Sequence, residues 1–465
     1  MRQEESYEDG AVKGFIFSSL FWLVIGLVVG LLIAAQLFAP ALNLLPWLTY
    51  GRLRPVHTNG VAFGFAVTAI IGVSYYVVQR LARAPLPFPG LARASLWLMN
   101  ITVALGAASL FMGFTSSKEY AELEWPIDIL VVIVWVMFAV NVVATLIRRR
   151  EEQMYISLWY ILATVVVVAL LYIVNNLAVP VSWFKSYSIY AGANDANVQW
   201  WYGHNAVASL FTFPILAFFY YFLPKSTNLP IYSHRLSIIA FWSLVFGYMW
   251  TGAHHLVYTP IPDWIQTMAI ALSIFLIAPS WGSVINGYYT MQGSWATVQS
   301  NYLVKFFLWG ITFYGLQTIQ GPTQAIRWIS QFVHYTDYIP GHVHMGTMGW
   351  VTMIISASFY YLVPRLYKTT LHSIKLANTH FWLVLVGQLV FSITMWITGI
   401  QQGAMLTATN DDGSIRYSFL ETLAQNYPYW MMRFAGGIIY FAGIIVFVYN
   451  LIKTMTNRNG REAAA

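Results

Sequence analysis

The sequence predicts an all-α integral membrane protein, 465 residues in one domain of twelve transmembrane helices. Three observations carry that reading. Hydrophobic residues make up 58% of the chain and charged residues only 9%, where a soluble globular chain carries roughly 25% charged residues. Apolar runs of about twenty residues recur from end to end, each long enough to cross a hydrocarbon core about 30 Å thick as a helix. Only helices and closed barrels satisfy their backbone in lipid, and runs this long exclude the short alternating strands of a barrel.

Taken in order, the expected spans are 14–38, 57–79, 90–113, 126–147, 154–177, 202–223, 236–259, 266–289, 303–321, 341–362, 376–400 and 435–455. Residues 1–13 and 456–465 are left as tails. The first tail is polar and net acidic, unlike a basic signal region, so the first run reads as a retained span. Connections are short and marked by Pro, Gly, Asn and charge, except for long ones at 178–201 and 401–434. No shift in composition marks a linker.

Orientation follows from Lys and Arg. With the N-terminus in the cytoplasm, only Arg52, Arg54, Lys118, Lys185, Arg327, Arg416 and Arg433 of the 24 fall on the outer side. That bias places both tails in the cytoplasm. The net charge of +7 then belongs to membrane loops and calls for no nucleic-acid partner. Cysteine is absent, which excludes disulfides, thiolate ligands, iron–sulfur centres and covalent haem attachment within this chain.

Ten histidines remain as the candidate metal ligands. Six lie near the outer ends of expected spans: His57, His204, His254, His255, His342 and His344. The topology follows without them, so their common depth points to convergence, and polar groups inside a membrane usually face a bundle interior or a cofactor. His234, His334, His372 and His380 sit in loops or at cytoplasmic ends, where a solvated or hydrogen-bonding role suffices.

Spacing divides the six. His342 and His344 are i, i+2 on a helix, about 200° apart, so they serve different metals. His254 and His255 are about 100° apart and can reach one ion if another helix supplies a third ligand, for which His204 is available. Three imidazoles with an open side suit copper. His57 is left to pair across a haem with one of His342 and His344.

These residues lie in VHTNGVAFGF (56–65), SKEYAELEWPIDIL (117–130), QWWYGHNAV (199–207), YMWTGAHHLVYT (248–259), APSWGSVINGY (278–288) and HYTDYIPGHVHMGTMGW (334–350). Together the motifs resemble the catalytic subunit of the cbb3-type cytochrome c oxidases, the C-family of the haem–copper oxidases, over essentially the whole chain. The resemblance implies the subunit I fold and reduction of dioxygen to water at a bacterial cytoplasmic membrane, with the site toward the periplasm. It implies two b-type haems: low-spin haem b between His57 and His344, and high-spin haem b3 on His342. It also implies one copper on His204, His254 and His255, and a covalent link between Tyr248 and His204. Other oxidase families place the tyrosine four residues after this histidine, where this chain has Ala208. A continuous helix would set Tyr248 about 9 Å below His254.

Protons are expected from the cytoplasmic side, with pumping coupled to turnover. Carboxylates are almost absent from that half of the spans, so Ser237, Tyr248, Asn286, Tyr314 and Thr318 are the candidate path. The resemblance places Glu119 and Glu122 near the haem propionates with a calcium ion. It departs at Gln320 in TIQGPTQ, where the family usually has glutamate. Glutamine keeps the shape but cannot ionise. With no haem-attachment cysteines here, the resemblance assigns electron delivery to membrane-anchored monohaem and dihaem cytochrome c subunits fed by soluble cytochrome c.

Two rivals share some features. A nitric oxide reductase subunit has the same fold and six histidines, but its non-haem iron wants a carboxylate, and HNAVASLFTF (204–213) has none. A twelve-span transporter would show polar mid-membrane breaks and a repeat between halves. The sequence supports neither.

Overall fold

The structure is a computed structural model that describes residues 7–293 and 295–457. Residues 1–6 and 458–465 of the expected tails, with Arg2, Arg458 and Arg461, lie outside the described residues.

Helix α1 (Asp9–Phe38) opens the bundle. Helices α2 (Tyr50–Asn59) and α3 (Thr68–Ala82) follow, joined through a π-helical segment at Gly60–Val67. Next come α4 (Pro89–Met112), α5 (Trp125–Ile147) and α6 (Ile156–Asn175). A hairpin of β1 (Ala178–Ser182) and β2 (Lys185–Ser188) leads into α7 (Ala193–Ala206). A second π segment, Val207–Thr212, joins α7 to α8 (Phe213–Thr227). Helices α9 (His234–Tyr248), α10 (Asp263–Phe275), α11 (Ile277–Met291), α12 (Trp295–Ser300), α13 (Tyr302–Ala325) and α14 (Arg327–Val333) continue the chain. A third π segment, Met345–Val351, joins α15 (Tyr338–His344) to α16 (Thr352–Leu366). Helices α17 (Ile374–Leu406) and α18 (Phe419–Thr456) end it.

Among the described residues, ten helical stretches are long and apolar enough to cross a membrane. The other two expected spans are helical but fall short for separate reasons. Helix α9 is only 15 residues long. Helix α13 is 24 residues long but carries Lys305, Gln317, Gln320 and Gln324.

Both long connections are partly ordered. The first contains the hairpin and two turns of α7, so His204 lies well inside a helix rather than at its start. The second shrinks because α17 runs on to Leu406 and α18 starts at Phe419. Ser418 and Glu421 form a reciprocal capping box there, which satisfies the first free N–H groups of α18.

No repeat relates the two halves in the sequence, but the structure shows a threefold repetition. Tyr76, Tyr221 and Tyr361 each lie four residues before a cation that stacks on that ring: Arg80 at 3.7 Å, Lys225 at 5.0 Å and Arg365 at 3.6 Å. Farther on, one asparagine side chain grips both the N–H and C=O of a single residue on a neighbouring element. Asn141 holds Phe88, Asn286 holds Ser233 and Asn450 holds Ser373, at 2.9–3.2 Å. In each repeat a threonine ends the π segment by donating to a carbonyl five residues back: Thr68 to Phe63, Thr212 to Val207 and Thr352 to Thr347. Each π segment follows a candidate ligand helix, and such bulges re-aim the side chains beside them.

Candidate metal centre

Histidines 57, 204 and 344 each precede one π segment. His57 packs where α2 meets α1. Its Nδ1–H donates to the carbonyl of Gly26 at 2.8 Å, and Gly30 has no side chain because a Cβ there would meet the imidazole. His344 donates from Nδ1 to Pro340 O at 2.7 Å. A carbonyl can only accept, so both rings keep Nε2 bare. The two rings lie parallel, 6.4 Å between centroids and 8° between planes. His342 turns away toward α13, where its Nδ1 meets Gln320 Oε1 at 3.1 Å. The two imidazoles of the i, i+2 pair thus face different neighbours.

The remaining three form one cluster. His204, His254 and His255 offer ligand atoms that all lie within 4.8 Å of one another, an arrangement able to hold a metal ion. His254 and His255 sit on a short 3-10 turn, Gly252–Leu256. Gly252 permits the turn because a Cβ there would strike the backbone of Trp200 on α7. Trp200 stacks on His255 at 4.0 Å and 14°. His204 Nδ1 lies 3.2 Å from His255 Nε2, while His204 Nε2 is buried with no hydrogen-bond partner. The continuous helix expected through 236–259 is not found. Helix α9 ends at Tyr248 and the chain turns, which leaves the Tyr248 ring 5.5 Å from the His204 ring.

The comparisons with known proteins agree with this centre. The family described as Cytochrome C and Quinol oxidase polypeptide I matches residues 10–439. The cbb3-type cytochrome c oxidase subunit CcoN1 of Stutzerimonas stutzeri is 47% identical, over 97% of this chain and 95% of that one. The chain is a cbb3-type haem–copper oxidase subunit I. A cytochrome c oxidase subunit 1 homolog of Agrobacterium tumefaciens is 42% identical over 99% of this chain and 86% of its own length. A haem–copper terminal oxidase dimer solved by cryo-electron microscopy shares the fold, with TM-score 0.80 at 18% identity over 97% of this chain and 84% of that one. The protein is thus the catalytic subunit of a terminal oxidase, with a histidine cluster suited to oxygen chemistry.

Other expected residues of this oxidase subunit fall into groups. Glu119 is ion-paired with Arg54. Glu122 is buried and accepts from Asn59 Nδ2 at 3.0 Å, while its Oε1 makes no hydrogen bond and lies 3.8 Å from Arg54 Nη1 as an ion pair. Burial pushes its carboxyl above the usual range, opposed in part by Asn59 and Arg54. Between α11 and α9, Asn286 Nδ2 donates to Ser237 Oγ at 2.9 Å. Thr318 reaches only backbone carbonyls, including that of Tyr314. Sequence reasoning missed Ser280, Ser283 and Tyr220, whose hydroxyls, like that of Tyr314, are buried without a hydrogen-bond partner. The spacing of Ser280, Ser283 and Asn286 at i, i+3, i+6 was the available signal.

Of the solvated and hydrogen-bonding roles expected for it, His380 takes the second. It is fully buried, stacks on Phe447 at 4.6 Å and meets Tyr360 OH at 3.2 Å. His334 stacks on Tyr335, and His372 packs edge-on against Tyr449.

Proposed function

We propose that this oxidase subunit reduces dioxygen to water at a centre built from six histidines. His57 and His344 hold low-spin haem b, His342 holds high-spin haem b3, and His204, His254 and His255 hold copper. The parallel pair His57–His344 carries the reading. Two metal–nitrogen bonds of about 2 Å each, added to the ring radii, suit a gap of 6.4 Å between centroids. Each Nδ1 is already committed to a carbonyl, which gives the bare Nε2 a metal needs. At the second site, His204 Nδ1 and His255 Nε2 lie 3.2 Å apart and the ligand atoms of all three histidines lie within 4.8 Å of one another, which fits a cation among His204, His254 and His255. When bound, iron and copper supply electrons for splitting dioxygen, and the axial residues tune their potentials.

Tyr248 is read as joined to His204 and as a donor of a proton and an electron. Proton supply runs from Ser237 and Asn286 past Tyr220, Ser283, Ser280 and Tyr314. Their unsatisfied hydroxyls are places where internal water would bind. Thr318 is dropped from that line because its hydroxyl meets only backbone carbonyls, whereas that of Ser237 also accepts from Asn286. Calcium rests mainly on Glu122, whose buried Oε1 accepts no hydrogen bond and has only the longer 3.8 Å pairing with Arg54, the guanidinium that binds Glu119 more closely.

Twelve crossings are proposed, with α9 and its following turn as the seventh and α13 as the ninth, tails cytoplasmic and the metal centre toward the periplasm. Membrane-anchored monohaem and dihaem cytochrome c subunits on that side pass electrons from soluble cytochrome c. A reduced-minus-oxidised spectrum, pyridine haem analysis and copper quantitation on the purified complex test the whole reading. Two b haems and one copper per chain are expected. Stoichiometric non-haem iron in place of copper would transfer the protein to nitric oxide chemistry.

A further inference from the structure

Helix α10 buries three residues, Gln266, Ala269 and Ser273, spaced i, i+3, i+7 along one face. Two of them spend their hydrogen bonds on the segment that carries His254 and His255. Gln266 accepts from the N–H of Tyr258 at 3.0 Å and donates to Thr259 O at 3.2 Å and Ile261 O at 3.0 Å. That ties down the chain just after the 3-10 turn. Two helical turns on, Ser273 Oγ bonds to His254 Nδ1 and also donates to Ala269 O at 2.7 Å.

A serine hydroxyl has one proton. Here the Ala269 carbonyl claims it, so the bond to the imidazole must run from His254 Nδ1–H into the serine oxygen. His254 is thereby fixed as the Nδ1–H tautomer, and Nε2 is its only nitrogen with a lone pair to offer the cluster. His57 and His344 achieve the same with backbone carbonyls. His254 achieves it with a hydroxyl that is an acceptor only because Ala269 has taken its proton. We infer that Ser273 is a positioning residue of the oxidase: it selects the His254 tautomer and aims that ring at the metal, while Gln266 holds the following loop. The inference rests on reading His204, His254 and His255 as the copper site.

The test uses the complete membrane complex carrying S273A, S273T or S273V. Outer partners of metal-bound imidazoles are typically worth 10–100-fold in metal affinity. S273A should keep both haem spectra yet release copper to a chelator about 10–100-fold more readily. The stretch of carbon monoxide photolysed onto copper at low temperature should shift or broaden. S273T restores the hydroxyl and should return both readouts to the parent's. If S273A does not assemble, the near-isosteric S273T and S273V, which differ in the hydroxyl alone, make the same comparison. Copper held as tightly, with an unchanged stretch, in S273A or S273V overturns the inference. A parent complex without copper overturns the underlying metal reading, and is seen before any variant is made.

Discussion

His57 and His344 are far apart in the sequence, yet their rings lie parallel, 8° apart in plane and 6.4 Å apart in centroid. Gly30 makes this possible by leaving room beside His57: a Cβ there would come within 2.6 Å of the ring. The H57A and H344A variants should lose the six-coordinate haem b spectrum while the carbon-monoxide-binding haem survives. G30A should fold with an overpacking cost of about 1–3 kcal/mol and show a shifted haem b midpoint in a redox titration. A six-coordinate haem b retained in H57A would break the pairing.

His342 meets the neutral amide of Gln320 at 3.1 Å. A carboxylate in that place would pull harder on Nδ1–H and make the imidazole a stronger donor, favouring ferric iron. The Q320E variant should therefore lower the haem b3 midpoint by roughly 60 mV, a tenfold change for one electron. Its iron–histidine stretch should rise in resonance Raman spectra. H342A should abolish carbon monoxide binding. A midpoint that rises or stays fixed in Q320E would remove the tuning role.

Much of the fold and the site is legible in the sequence, and the rest is hidden for definite reasons. The helices are readable because lipid demands long apolar runs, and the six candidate ligands because histidine is costly there. Periodicity fails where α9 breaks at Tyr248, since no proline marks the break in MWTGAHH and only tertiary packing on Trp200 rewards the turn. Helix α7 is hidden because AGANDANVQ is too polar to read as a span. The threefold repetition rests on single asparagines, tyrosines and cations separated by unlike residues, which no composition window detects. Ser273 is invisible because its role depends on two partners, His254 and Ala269, at once.

Glu122 should leave a mark on stability. Burial raises its carboxyl pKa in the folded protein. Between the unfolded value and that raised one, the folded state binds more protons, so stability falls as pH rises through the window and is greatest below it. E122Q cannot titrate and should flatten this part of the curve. Thermal denaturation of the complex across pH 4.5–7.5 measures it. A slope unchanged in E122Q would assign the pH dependence elsewhere, and a slope reversed by added calcium would show the cation displacing the proton.

The copper reading makes a separable prediction. The H254A and H255A variants should lose about one copper per chain by metal analysis while retaining both haems, because neither residue touches the His57–His344 pair. Among the described residues, the cluster that could hold a metal is made of histidine alone, which disfavours iron. Native protein with one non-haem iron, and nitric oxide turnover above oxygen turnover, would refute copper.

Tyr248 carries the last and most exposed prediction. Its ring lies 5.5 Å from that of His204, whose Nε2 is buried and has no hydrogen-bond partner. An unpaired buried nitrogen costs about 1–3 kcal/mol if nothing engages it, and a covalent bond to the tyrosine ring would remove that cost. Ala208 leaves vacant the position other oxidase families use, and α9 ends at Tyr248, so packing alone does not demand a phenol there. Phenylalanine keeps the ring and loses the hydroxyl. The Y248F variant should therefore assemble, load both haems and copper, and lose at most about 1–2 kcal/mol of stability. Oxygen reduction should nearly stop, since neither the phenolic proton nor an easily oxidised ring remains. Peptide mass analysis should find the His204 and Tyr248 segments joined in the parent and separate in Y248F. Intact metals with near-parental oxygen consumption in Y248F would sink the assignment. Separate peptides in an active parent would remove the bond but leave the hydroxyl's role to be judged by the same turnover measurement.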